Sequence, residues 1–221
     1  MRVRRSVSLL IVLAVGASAC GSGYEQPDNP LGKALLQEAP EGYDKVDGPA
    51  SGPMTLDVAS TSSTAEPKEK KVLFKKHGYK GGYSRVWKND TRYISVLVYQ
   101  MRDEEAAKEV MIFEFEQLGD KKSAELFPLP QVPGGLGFKL TGIAGREYSN
   151  VDCKGVWFAR SNRVFNVNTC GPKPPSEKQI ADLASRQFAL ARKTTPVSKQ
   201  SPEPTPGAET PTSTVPAEPA P

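Results

Sequence analysis

Chemistry has few places to sit in this chain. Its 221 residues hold three cysteines and one histidine. Metal sites, thiol redox centres and nucleophile–histidine pairs must therefore all draw on Cys20, Cys153, Cys170 and His77. Cys153 and Cys170 bound the stretch CKGVWFARSNRVFNVNTC. A tetrahedral metal site would need further ligands, and His77 is far off in sequence. A redox pair is more often Cys-x-x-Cys. A covalent staple needs only that the two strands around the cysteines be paired. His77 lies just before Gly78, where an imidazole can serve the last carbonyls of a helix. Glu104, Glu105, Glu109 and Glu116 belong to one helical stretch and read as its solvated face. The glycine run VPGGLG precedes no helix, so it has no phosphate-loop context. No catalytic residue, metal or cofactor is expected.

The compartment decides the cysteine chemistry. The chain opens MRVRRSVSLLIVLAVGASAC. Arg2, Arg4 and Arg5 precede an apolar core from Val7 to Val15, and Ala17-Ser18-Ala19 forms a small-residue exit. That is the layout of an export signal over residues 1–19, too short for a spanning helix. Ala-Ser-Ala suits ordinary signal peptidase. With Cys20 and the small residues after it, the same segment resembles a bacterial lipobox, whose cysteine is diacylated and becomes the first mature residue. The resemblance implies a lipid anchor at Cys20, with two or more chains holding the protein firmly. Residues 20–29 would be the lipidated tether, and the outer face of the plasma membrane the location. The arginine pair leaves general secretion and twin-arginine export both open. Outside the membrane little keeps thiols reduced, and Cys153 and Cys170 are expected to form a disulfide.

Charge adds little. The formal net charge of +4 includes three arginines in the leader, so the remainder carries +1. No nucleic-acid partner is expected. The run PKEKKVLFKKHGYKGG holds six lysines against one glutamate. It reads as a solvated helix face, with anionic headgroups or acidic wall polymers as alternative contacts.

Residues 30–193 are long enough for one domain with its own core. Residues 194–221 carry eight prolines and almost nothing apolar, and read as a disordered Pro/Thr-rich tail. Within the domain, residues 30–39 read as a short helix and 43–46 as a strand. Residues 47–66 read as loop, with one turn near Leu56. Ser63 and Glu66 are spaced as a capping box for the lysine-rich helix. Asn89-Asp90 separates two β-rich runs, a hairpin signal. Asp103 caps a helix with Ala107, Val110, Met111 and Leu118 on one face. Residues 127–138 read as a Pro/Gly-rich crossing. Ser176 and Gln179 form a second capping box, opening a helix with Ile180, Leu183, Ala184, Phe188 and Ala191 inward.

A two-residue turn at Ser161-Asn162 sets the register of the cysteine hairpin. It opposes Arg160 to Arg163, Phe158 to Phe165, Val156 to Val167 and Cys153 to Cys170. The cysteines then form a non-hydrogen-bonded pair, where the chains approach most closely. The phenylalanines and valines make a core face. The other face carries Trp157, Asn166, Asn168 and the cysteines, a candidate binding surface. Arg160 and Arg163 beside the turn oppose like charges, unfavourable unless an anion or acidic partner sits there.

Val86-Trp87, a turn, a strand and a helix parallel Val156-Trp157, a turn, a strand and a helix. Two such ββα units make an α+β domain, an antiparallel sheet with helices on one face. The runs EAPEGYDKVDGPASGPMTLDVA, HGYKGGYSRVW, ISVLVYQMRDEEAA and VWFARSNRVFNVN, behind the lipobox, resemble a broad group of uncharacterised actinobacterial cell-envelope lipoproteins. The shared motifs are structural rather than chemical. The resemblance implies a membrane-anchored, non-catalytic interaction module meeting an envelope protein or wall polymer. The alternative is a carrier or sensor for a lipid or small amphiphile, with residues 127–138 as its lid.

Overall fold

The computed structural model describes residues 28–62, 66–119, 124–143, 151–173 and 175–195. The leader, Cys20, most of the tether, Ser63 of the first capping box and residues 196–221 of the tail lie outside the described residues.

Helix α1 is a single turn, Pro30–Lys33, capped by Asn29, whose Oδ1 accepts from the N–H groups of Leu31 and Gly32. It is shorter than the sequence indicates. A side chain replaces the helical partners of the next backbone groups: the Gln187 amide accepts from Leu36 N–H at 2.9 Å and donates to the Ala34 carbonyl at 2.7 Å. Strands β1 (Asp44–Lys45) and β2 (Gly52–Met54) follow, then α2 (Leu56–Thr61) and α3 (Pro67–Lys76). Proline at its first position and Gly78 at φ 63° just past its end bound α3.

Strands β3 (Gly81–Lys88) and β4 (Tyr93–Gln100) form the first long hairpin. Its turn is closed by Asn89 Oδ1, which accepts from Thr91 and Arg92 N–H. Helix α4 (Glu104–Gly119) starts on Asp103, whose Oδ1 accepts from Ala106 N–H at 2.8 Å. Where the sequence suggested a crossing, the chain makes a hairpin of β5 (Ala124–Pro128) and β6 (Leu136–Ile143). The cysteine hairpin is β7 (Val151–Arg160) and β8 (Arg163–Gly171), and α5 (Glu177–Thr194) closes the domain behind the Ser176–Gln179 capping box.

One antiparallel sheet of eight strands runs β1-β3-β4-β8-β7-β6-β5, with β2 also on β3. The two ββα hairpins therefore share a sheet and meet at β4 and β8, where Val96 faces Val167. The class is α+β. The helices, however, cover both faces rather than one. Alternate residues of β4, Ile94, Val96 and Val98, join Val156, Phe158, Phe165 and Val167 beneath α1 and α5. The intervening Leu97 and Tyr99 join Trp157, Val164, Phe74 and Val110 beneath α3 and α4. Strand side chains alternate between faces, so a sheet with apolar residues at both parities must be covered twice. Helices α4 and α5 pack against the same two strands, β7 and β8, from opposite sides.

Candidate functional site

The β7–β8 hairpin has the register that its turn dictates. Arg160 pairs with Arg163, Phe158 with Phe165, Val156 with Val167 and Cys153 with Cys170. Ser161 takes φ 50° in the turn. Cys153 and Cys170 form a disulfide, with Cα atoms 4.1 Å apart.

The hairpin does not present its sequence-predicted surface as one patch. Trp157, Asn166 and Asn168 point toward α4, whereas Arg160 and Arg163 share the opposite face with Phe158 and Phe165. Trp157 is only 5% exposed and stacks on Tyr99 at 6.3 Å between ring centroids. The indole is thus part of the α4 core and not a platform for a ligand. The neighbouring carboxamides are spent on one another. Ser95 Oγ donates to Asn168 Oδ1 at 2.9 Å, Asn168 Nδ2 to Asn166 Oδ1 at 3.1 Å, and Asn166 Nδ2 to the Val156 carbonyl at 3.2 Å. A polar row read as solvent-facing is an internal hydrogen-bonded ladder, as buried amides require.

The arginines behave differently. Arg163 is 8% exposed, and its Nη1 reaches the Thr195 hydroxyl at the long distance of 3.4 Å. Its Nε has no hydrogen-bond partner among the described residues. Burial lowers its pKa, as expected when a charge loses water without gaining a counter-ion. Arg160 is half-buried beside it. On the far side, Gln100 of β4 pairs with Arg163. Three donor-bearing side chains thus lie in a row across β7, β8 and β4, at the carboxyl end of α5.

A second cluster had no place among the sequence-predicted residues. Lys70 of α3 and Glu114 of α4 meet with Nζ–Oε1 at 2.5 Å. Lys70 Nζ also donates to Tyr99 OH at 3.2 Å, and Tyr99 OH is 2.8 Å from Ser62 Oγ. The ammonium lies 5.1 Å and 4.9 Å from the ring centroids of Phe74 and Tyr99, within cation–π range. Burial lowers the Lys70 pKa, against the opposing pull of Glu114. Burial first, then the Glu114 charge, raises that of Tyr99. Each helix carried a signal: Lys70 is one turn before Phe74 on the apolar stripe, and Glu114 lies between Val110 and Leu118 on another. Opposite charges on two inward stripes can pair across helices. The lysine-rich run is therefore not uniformly a solvated face, since Lys70 leaves it for the core.

His77 is buried as the C-cap residue of α3, and its Nε2 lies 3.1 Å from Glu109 Oε2 of α4. Its imidazole faces that carboxylate rather than the helix carbonyls. Among the described residues, no group of three His, Cys, Asp or Glu side chains is placed to hold a metal ion. No described helix is long and apolar enough to cross a membrane.

No protein-family model matches the chain, and no curated protein matches it. Among solved structures, the chain is similar to the extracellular domain of PknH from Mycobacterium tuberculosis. The two share 12% identity and a TM-score of 0.49, over 75% of this chain and 94% of that one.

Proposed function

We propose that the chain is an extracytoplasmic lipoprotein, held on the outer face of the plasma membrane through diacylated Cys20. Its domain is a non-catalytic interaction module of the cell envelope. The observation that carries the reading is the Cys153–Cys170 disulfide, which belongs to an oxidising compartment. It agrees with an amino terminus patterned as an export signal ending in a lipobox-like cysteine. The buried ionisable side chains of the α3–α4 layer support the non-catalytic part. Lys70 and Glu114 neutralise each other, and His77 faces Glu109. With Trp157 inside, the interaction surface moves from the Asn face to the hairpin tip, where Arg160 and Arg163 have no carboxylate partner among the described residues.

Fractionation of expressing cells tests the anchor. The native chain should sediment with membranes, and Cys20→Ala should be released. A membrane-bound Cys20→Ala chain would sink the lipoprotein reading. Native mass spectrometry tests the module. The mass of the disulfide-bonded, acylated polypeptide alone is expected; additional mass lost on denaturation would favour a lipid carrier instead.

A further inference from the structure

We propose that the tip of the β7–β8 hairpin is a phosphoryl-binding site, formed by Arg163 and Arg160 with Gln100 at its edge. The assignment gives the interaction module a partner chemistry, and rests on that reading for its setting, an envelope rich in phosphate groups. Three observations carry it.

The first is the unpaired buried charge. Arg163 is only 8% exposed, yet among the described residues its side chain makes one hydrogen bond, a long one to a neutral hydroxyl. A buried ion ordinarily has a counter-ion, because desolvation without one costs several kcal/mol. The carboxyl end of α5 supplies a partial negative charge of about half a unit, less than one guanidinium needs. The last turn of α5 contributes only cations, Arg192 and Lys193.

The second is the like-charge pair. Arg160 directly opposes Arg163, a cross-strand arrangement that is destabilising when nothing lies between the charges. The third is the donor row. Gln100 extends the two guanidiniums on the same face, and no carboxylate interrupts the line. Planar guanidiniums match the oxygens of phosphate bidentately. Two adjacent positive charges are balanced by a dianion, whereas one carboxylate would leave a charge over. The buried setting strengthens such contacts relative to water.

The test uses the full chain carrying Cys20→Ala in nonionic detergent, so that acylation at Cys20 cannot contribute. Arginine Nε–H resonances are followed during titration at low ionic strength. One arm uses inorganic phosphate, and the other glycerol 3-phosphate, the dianionic headgroup of phosphatidate without its acyl chains. A saturable shift of the Arg163 resonance in either arm is expected, and the tighter probe identifies free phosphate or headgroup as the source. Arg160→Gln keeps the core intact and should weaken that affinity by about tenfold, the loss of one charge-assisted contact. The proposal is overturned by an unmoved Arg163 resonance up to about 10 mM of both probes, a concentration weaker than any useful site. Equal binding by Arg160→Gln, or a response to tetraglutamate alone, overturns it too. None of these results depends on whether Cys20 is lipidated.

Discussion

Lys70 Nζ lies 2.5 Å from Glu114 Oε1, with 0% of one side chain and 1% of the other exposed. The pair joins α3 to α4 across a layer otherwise made of Phe74, Tyr99, Leu97, Val110 and Met111. Two ions so placed have lost their hydration, and their attraction about repays that cost. The pair specifies which turn of α3 meets which turn of α4 more than it stabilises the fold.

Breaking that pair and removing it should therefore differ. Lys70→Met leaves Glu114 buried and alone, and should cost about 3–5 kcal/mol, as should Glu114→Leu. The double variant Lys70→Met/Glu114→Leu should return to within about 1 kcal/mol of the native chain. Urea unfolding of the four proteins measures this. A double variant as unstable as either single variant would show that the pair is a net source of stability, and strictly additive losses would show that the two side chains are not coupled.

Asp103 gives the fold an acid-sensitive joint. The Ala106 N–H, then the Arg102 guanidinium, hold its carboxyl below the ordinary 3.8. The unfolded state therefore binds the proton first as pH falls. The contribution is complete above the unfolded value and is lost as pH drops through the folded one. Asp57 and Glu125 shift in the same direction, so the comparison must be a difference. Asp103→Asn keeps an N-cap oxygen without the charge. Its stability relative to the native chain should be lowest near neutrality and recover as pH falls below 3.8. A constant difference from pH 7 to pH 2 would assign no linkage to Asp103.

The hairpins were legible in sequence because their turns carry specific chemistry. Ser161-Asn162 set the register from Arg160 to Cys170, and Asn89 closed the β3–β4 turn. The faces were less legible. Strand β8 places Val164, Asn166, Asn168 and Cys170 at one parity, a mixed row that ordinarily looks outward. Here the amides satisfy one another under α4, and that compensation requires Ser95 from a different hairpin. The β5–β6 hairpin was hidden by Pro128 and the glycines near it. Proline is tolerated there because β5 is the edge strand and Pro128 is its last residue. Gly137 has no Cβ because the Phe127 ring and Leu129 occupy that space, a tertiary demand with no local signature. Lys70 and Glu114 each stand on an apolar stripe, but their pairing is set only when the two helices are placed together.

Trp157 and Arg160 separate packing from recognition. Trp157 fills the space between Tyr99 and α4, so Trp157→Ala should lose about 3–5 kcal/mol through cavity formation. Arg160→Gln, at a half-buried position without a side-chain partner among the described residues, should stay within about 0.5 kcal/mol of the native chain. Thermal and urea unfolding of both variants settle the comparison. A near-native Trp157→Ala would mean that the indole is not packed beneath α4.

The disulfide makes a kinetic prediction as well as an equilibrium one. It closes a separation of 17 residues, for which loop entropy suggests about 3 kcal/mol. Cys153 is opposite Leu140 of β6, and Cys170 is opposite Tyr93 of β4. The staple thus joins the two inner strands of four that remain paired without it, beside the register shift of β6 that begins at Leu140. Its loss removes little from the folded state and returns freedom mainly to the unfolded chain. Cys153→Ala/Cys170→Ala should therefore lower stability by about 3 kcal/mol. Most of that loss should appear as slower refolding, provided the β7–β8 hairpin is formed at the folding barrier. Refolding and unfolding rates across a urea series measure the partition. If unfolding accelerates while refolding is unchanged, the hairpin closes after the barrier and the staple acts within the native sheet.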